Sequence, residues 1–283
     1  MTPATRRQVA GELRDEHAGW AERRICDALG WSRTSVRYSP SHSDDAARHA
    51  RDRLKAVASE RVAWGYRRLF RLWKAEFPRF GWRRFRSWYV ELGLGHSRPR
   101  RRRVLPRPTR PSVPRSKGAR SSYAIDFMHH VTCRGVSFRI LVVVDEFTRE
   151  ILALRVARSF TSRDVTRVLA DVVAEYGTPS VLRSDNGPEF ISDTVRSWLR
   201  ERGTAQQPSR PGKPCDNGLC ESTNGRIRDE LLRPNLFETI EAAADATAAY
   251  REDYNTIRPH SALDGLAPSI FHQQLTPPTL QSA

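Results

Sequence analysis

The chain has 283 residues, a formal net charge of +16 and no apolar run long enough to span a bilayer, so a soluble protein of two domains is expected and a membrane protein is not. The first residues, Met1-Thr-Pro-Ala-Thr-Arg-Arg7, lack the apolar centre of an export signal, which points to the cytoplasm. Cys26, Cys133, Cys215 and Cys220 form no Cys-x2-Cys pair and His129 and His130 are adjacent, which argues against structural zinc and for reduced thiols.

The charge is unevenly placed. Residues 1–120 carry 30 Lys and Arg against 11 Asp and Glu, whereas residues 121–283 carry 18 against 21. A polyanion gains affinity on the first part by counterion release, and the second part must reconcile its acids with a phosphate, which divalent metal ions would do. Of the 48 basic residues 44 are Arg, the better bidentate phosphate ligand, although codon bias in a GC-rich genome gives the same excess.

Composition separates residues 1–95, 96–120, 121–275 and a tail, 276–283. In the first region, residues 20–38 read as a helix, a turn at Gly30 and a second helix capped by Ser32. That is the shape of a helix-turn-helix, with Arg33 and Arg37 offered to DNA. A second helical pair spans about Leu54 to Leu94; Arg67, Arg68, Arg83 and Arg84 are its candidates for phosphate contact. Six of the seven tryptophans precede residue 90, and the core of small helical units explains them better than base stacking does. Residues 96–120, rich in Arg and Pro, cannot form a core; Arg100, Arg101, Arg102 and Arg103 suit an extended segment that follows DNA phosphates.

From residue 121 the pattern is that of an α/β domain. Tyr123–Val131, Val136–Val144 and Ile151–Val156 read as an antiparallel meander, with Asp126 on its first strand. A helix follows over Ser162–Tyr176, capped by Ser162 and ended by Gly177 and Pro179. Ser180–Asp185 returns as a short strand, and Asn186-Gly187-Pro188 turns the chain to leave Asp185 at the carboxyl end, where open α/β sheets bind ligands. A helix from Glu189 to about Arg202 precedes a Pro- and Gly-rich loop over residues 204–218 that carries Arg210 and Lys213. Beyond it, Asn217, Glu221, Asn224 and Arg228 share one helical stripe, fit to face metal and DNA, while Cys220, Ile227 and Leu231 share another.

Asp126, Asp185 and Glu221 are therefore the candidate catalytic and metal-holding residues: three carboxylates supply hard oxygen ligands for paired divalent ions, the usual equipment for phosphodiester chemistry. Taken singly, each has an ordinary reading as a turn former or a first-turn helix carboxylate. Among competing acids, Asp145 suits the turn before Arg149 and Asp216 suits an N-cap.

Tyr-Ala-Ile-Asp126-Phe, Val-Val-Val-Asp-Glu-Phe-Thr-Arg149, Arg-Ser-Asp185-Asn-Gly-Pro-Glu-Phe-Ile, the run around Cys-Asp-Asn-Gly-Leu-Cys-Glu221-Ser-Thr-Asn-Gly and Tyr-Asn-Thr-Ile-Arg-Pro-His-Ser-Ala-Leu263 together resemble the OrfB-type transposases of bacterial insertion sequences, whose catalytic domain is of the retroviral integrase group. The resemblance implies an α/β ribonuclease-H-like domain, a mixed five-stranded sheet with helices, behind a small all-helical helix-turn-helix region. It implies a DDE triad at Asp126, Asp185 and Glu221, two Mg²⁺ ions with Mn²⁺ as substitute, and cleavage at element ends followed by strand transfer. It further implies duplex DNA as substrate and target, a homo-multimer on that DNA, the product of an upstream reading frame as partner, and a nucleoid-associated location. Tyr123 stands where the family usually has Trp. A catalytically inactive DNA-binding relic or regulator is the alternative, but decay is expected to strike an acid or the core pattern; a ribonuclease for RNA–DNA hybrids leaves the helical units and the Arg/Pro linker without a purpose.

Overall fold

The computed structural model describes residues 3–17, 19–37, 44–95, 116, 118–209 and 218–275. Arg100, Arg101, Arg102, Arg103, Arg210, Lys213, Asp216 and Asn217 lie outside the described residues, as do Cys215, most of the Arg/Pro segment and the tail. The chain divides into two compact units, Met1–Arg53 and Leu54–Ala283.

The first unit holds α1 (Pro3–Glu16), α2 (Glu22–Ala28) and α3 (Arg33–Arg37). Ala10, Ile25, Cys26 and Val36 are buried together, with Trp20 and Trp31 packed against them. Gly30 turns the chain at φ 64°, a conformation in which a side chain is strained, and Ser32 Oγ accepts from the amide of Ser35 at 3.2 Å. The helix-turn-helix shape read from residues 20–38 is present, and α1, which the sequence reading did not anticipate, completes its core. Helix α4 (Asp44–Glu60) contains the boundary between the units.

The second unit begins with the end of α4 and continues through α5 (Tyr66–Glu76) and α6 (Trp82–Glu91). Trp64, Trp73 and Trp88 are buried, and Trp73 packs against Phe85 and Trp88 with ring centroids 5.3 and 6.1 Å apart. These rings form core, as expected; Trp82 keeps 37 % of its surface exposed. Composition suggested that helices α5 and α6 would group with the preceding helices, but they belong to the unit that contains the sheet. Arg61 is bound to Asp253 at 2.6 Å and Arg68 to Glu230 at 3.1 Å.

The sheet runs in the order β3-β2-β1-β4-β5, from β1 (Ser122–Val131), β2 (Ser137–Asp145), β3 (Ile151–Ala157), β4 (Val181–Ser184) and β5 (Ala205–Pro208). The first three strands form the expected antiparallel meander, and β4 and β5 add in parallel. This is the ribonuclease-H-like arrangement that the sequence motifs implied. Alternation along the strands divides the core between two faces. Tyr123, Ile125, Leu141, Val143 and Leu152 meet α7 (Ser162–Tyr176), α8 (Pro188–Ile191) and α9 (Asp193–Glu201) on one side. Met128, Ile140, Val142 and Val144 meet α10 (Gly218–Ile227), its continuation as a π-helical turn over Arg228–Leu232, and α11 (Ile240–Thr256) on the other. Helix α12 (Pro268–Leu275) packs on α11.

Several expectations are corrected. Thr161, not Ser162, caps α7, in a capping box with Asp164. The helix expected from Glu189 to Arg202 is broken at Ser192, whose extended backbone and side chain start α9 afresh. The loop expected from residue 204 begins as the edge strand β5, and Gly118 to Arg120, assigned to the linker, join the sheet domain: the Arg120 amide donates to Asp145 at 3.2 Å.

Candidate active site

Asp126 lies on β1 between Ile125, which faces α7, and Phe127, so alternation turns it to the α10 side with Met128. The parallel register pairs Ala124 with Arg183. Continued by two residues, it brings Asp185 level with Asp126, one step beyond the end of β4. Glu221 occupies the first turn of α10, the helix packed across that same face of the sheet.

Each carboxylate is held differently. Asp126 is half-buried; its Oδ1 accepts from the Phe127 amide at 2.8 Å and its Oδ2 from the Asn224 side chain at 2.8 Å. Asp185 is exposed, and its Oδ1 accepts from the Gly187 amide at 2.9 Å. A Cβ on Gly187 would stand 3.0 Å from that oxygen, so the missing side chain lets the turn close around the acid. The turn is pinned from the far side, where Asn186 donates to the Ser209 carbonyl at 2.8 Å and the Ser209 amide donates to the Ser184 carbonyl at 2.9 Å. Glu221 is exposed.

The three charges act on one another. Burial, with the negative charges of Asp185 and Glu221 added to it, pushes the Asp126 carboxyl up to about 6, against the opposing hydrogen bonds from Phe127 and Asn224. Asp126 is thus the member at which all three charges are felt. Among the described residues no three side chains of ligand type lie close enough to hold a metal ion as they stand. The donor set, carboxylate oxygens with the unpartnered buried Oδ1 of Asn224 beside them, fits a hard divalent cation.

The competing acids are engaged elsewhere. Asp145 is buried and accepts from Thr148 Oγ1 at 2.7 Å and the Phe147 amide at 3.1 Å, shaping the turn in which Arg149 takes φ 67°, as expected of it. Glu146 binds Arg183 at 3.2 Å, and Glu189 pairs with Arg139, whose guanidinium holds the Glu189 carboxyl below its usual range. Tyr123, in the aromatic position before Asp126, is buried and donates to the Gly177 carbonyl at 3.0 Å.

The candidate DNA contacts divide. Arg33, Arg67, Arg83, Arg84 and Arg228 are exposed. Arg37 is exposed but paired with Glu22 at 2.7 Å, and Arg68 is half-buried against Glu230. Asn224 is buried, and its amide donates to Asp126.

Sequence reasoning missed what holds α10 in place. Glu230, in the π-helical turn that extends α10, receives Arg258 through Nε at 2.6 Å and Nη2 at 2.5 Å, and Arg68 at 3.1 Å. Arg258 is 1 % exposed and also contacts His260 Nε2 at 3.2 Å. The signal was the run Tyr-Asn-Thr-Ile-Arg258-Pro-His260, whose buried chemistry a motif alone does not disclose.

Two family models described as integrase core domain match residues 117–214 and 202–268. An insertion element IS407 protein of Burkholderia multivorans is 36 % identical over 90 % of this chain and 92 % of its own. The transposase for insertion sequence element IS904 of Lactococcus lactis is 30 % identical over 52 % of this chain and 59 % of its own. In solved structures, the intasome of simian T-cell lymphotropic virus in complex with PP2A regulatory subunit B56 gamma contains a chain similar in fold, with a TM-score of 0.53 at 20 % identity over 74 % of this chain and 76 % of that one. The likeness to the IS407 protein along almost the whole length of both chains, joined to the integrase core, places this chain among the insertion-sequence transposases, proteins of DNA transposition and integration.

Proposed function

We propose that the chain is a DDE-type polynucleotidyl transferase that cuts DNA at the ends of its element and joins the freed strand to target DNA, with Asp126, Asp185 and Glu221 holding Mg²⁺, or Mn²⁺ in its place. The observation that carries this reading is the alignment of the carboxylates: the β1–β4 register sets Asp185 level with Asp126, and α10 carries Glu221 across the same face, where both charges act on the Asp126 carboxyl. Carboxylates gathered on one face supply hard oxygen ligands and a negative potential for a divalent cation.

Two bound ions would supply activation of a water or DNA 3′-hydroxyl and neutralisation of the leaving oxygen. The chain's own residues do the positioning. Phe127 and Asn224 fix the Asp126 oxygens, Gly187 fixes Asp185, and the exposure of Asp185 and Glu221 leaves them open to a phosphodiester. The nucleophile oxygen bonds to phosphorus as the opposite P–O bond breaks in line, and cleavage and joining differ only in whether water or a DNA hydroxyl attacks. Arg33, Arg67, Arg83, Arg84 and Arg228, with Arg100 to Arg103, Arg210, Lys213 and Asn217, hold duplex DNA. The working form is a homo-multimer on paired ends, aided by the product of an upstream frame, in the cytoplasm at the nucleoid.

Purified protein with Mg²⁺ and a duplex bearing element ends should nick or join DNA, and chelation should stop it. Asp185→Asn and Glu221→Gln should each abolish this while keeping DNA binding. Undiminished activity in either variant overturns the triad assignment.

A further inference from the structure

Two cavities of the Leu54–Ala283 unit adjoin, sharing Arg68, Pro259 and Ser261 in their walls. The smaller, about 370 Å³, is bounded by Gly218, Leu219 and Ser222 and so lies against the first turn of α10, the turn that carries Glu221. Its other walls include Arg226, Arg149 and Arg258. The larger, about 650 Å³, is walled by Tyr66, Phe70 and Trp82 with Arg67 and Arg71. Among the described residues no carboxylate lines either cavity.

Glu230 pairs with Arg68 and Arg258, and Arg226 and Arg149, both half-buried, add further positive charge to the smaller cavity. The imidazole of His260, in the same wall, is pushed down to about 3 by burial and then by Arg258 and Arg226, which reports the same positive field. In the larger cavity the rings of Tyr66 and Trp82 are in tilted contact, their centroids 5.4 Å apart at 43°. The guanidinium groups of Arg67 and Arg86 lie 5.9 and 5.8 Å from the Tyr66 ring. Arginines line both chambers, and the larger adds the partly exposed ring of Trp82 beside the half-buried Tyr66, the groups that a phosphate and a base require. Base faces are offered only by an unpaired strand, and concavities of this size admit single nucleotides and not a duplex.

We infer that the two cavities form one track for an unpaired DNA strand, its phosphate in the Arg226 chamber and its base on Tyr66 and Trp82, leading away from Glu221. This rests on the strand-transfer reading and adds that the duplex end is opened beside the site.

The test uses the full chain carrying Asp185→Asn, in Mg²⁺-free buffer at fixed salt, with blunt duplexes and duplexes bearing three unpaired terminal nucleotides of either polarity. A 2-aminopurine in the unpaired segment reads stacking. One forked polarity should bind about tenfold more tightly than the blunt duplex, with quenched fluorescence. Trp82→Ala should remove both effects and Trp82→Phe should keep most of them. Arg226→Gln should remove the fork preference with little change in blunt-duplex affinity. Because Trp82 packs on Phe70 and Phe85, Arg226→Gln decides the matter if Trp82→Ala fails to fold. Equal affinity for blunt and forked DNA, or a preference that survives both Trp82→Ala and Arg226→Gln, overturns the track. Failure of the triad would appear separately, as wild-type protein without Mg²⁺-dependent cleavage.

Discussion

A carboxyl group raised to about 6 works against the folded state at neutral pH. Between the ordinary aspartate value near 4 and 6, the folded protein keeps a proton that the unfolded chain has released. The Asp126 contribution is therefore most favourable below about pH 4 and is lost as pH rises through 6. In metal-free protein at pH 7.5, Asp126→Asn should raise stability by roughly 1–2 kcal/mol, discounted for partial exposure, and the gain should vanish toward pH 4. Denaturant titrations across that range read it, and a destabilised variant at pH 7.5 would mean that the carboxylate serves the fold. Asp185 offers a steric counterpart. Gly187 sits at φ −58°, open to any residue, yet an added Cβ would crowd Asp185 Oδ1 at 3.0 Å and Phe190 at 3.3 Å. Gly187→Ala should shift stability by less than about 1 kcal/mol while lowering the cleavage rate about tenfold, through displacement of the acid. Sequence exposed the three acids because each stands at a strand, a strand end or a first helical turn. It could not say which member of the Asn217, Glu221, Asn224 and Arg228 stripe turns inward, because a polar stripe looks alike whether it meets solvent or a buried carboxylate.

The elements that carry dense apolar periodicity, β1 to β3 and α7, were legible almost to their ends. Strand β5 was not: Ala205-Gln-Gln-Pro208 has no apolar alternation, and it is a strand because the backbone groups of β4 need a partner. The break at Ser192 was written in the sequence as a serine followed by an acid, but apolar residues on both sides of it, Phe190, Ile191 and Val195, concealed the second start. Helix α10 is held from behind by Glu230, whose carboxyl stays below its usual range despite burial because Arg258 and Arg68 face it. Glu230→Gln leaves Arg258 charged and buried without its partner, and should cost about 3 kcal/mol and weaken cleavage through loss of α10 placement. His260 adds a pH signature. From about 6.5 down to 3 the unfolded chain takes up a proton that the folded imidazole refuses, so its stabilisation is present above 6.5 and lost as pH falls. The groups facing it are Arg258, Arg226, Arg68 and the Tyr254 ring. Wild type should lose up to about 1.4 kcal/mol per pH unit below 6.5 relative to His260→Gln. Parallel stability curves for the two proteins would show that the ring titrates freely.

Composition and packing divide the whole molecule differently. Composition marks a boundary near residue 95 because the Arg/Pro-rich stretch begins there, whereas packing divides the chain within α4, between Arg53 and Leu54. The difference has an electrostatic consequence. Residues 1–53 hold 10 Lys and Arg against 8 Asp and Glu, while residues 54–120 hold 20 against 3. The helix-turn-helix unit is thus close to neutral, and the basic excess belongs to α5, α6 and the Arg/Pro segment. Counterion release scales with the phosphates neutralised, about 0.9 per contact on duplex DNA. A chain beginning at Asp44 keeps the Arg61–Asp253 and Arg68–Glu230 pairs and should fold. It should show a log-affinity against log-salt slope within about one of the full chain, with weaker discrimination among DNA sequences. Replacing Arg100, Arg101, Arg102 and Arg103 by Gln should instead flatten that slope by as much as about 3.6. Binding titrations at four or five salt concentrations separate the two outcomes. A slope that collapses on removal of the first 43 residues would mean that the near-neutral unit, and not the basic segment, makes the phosphate contacts.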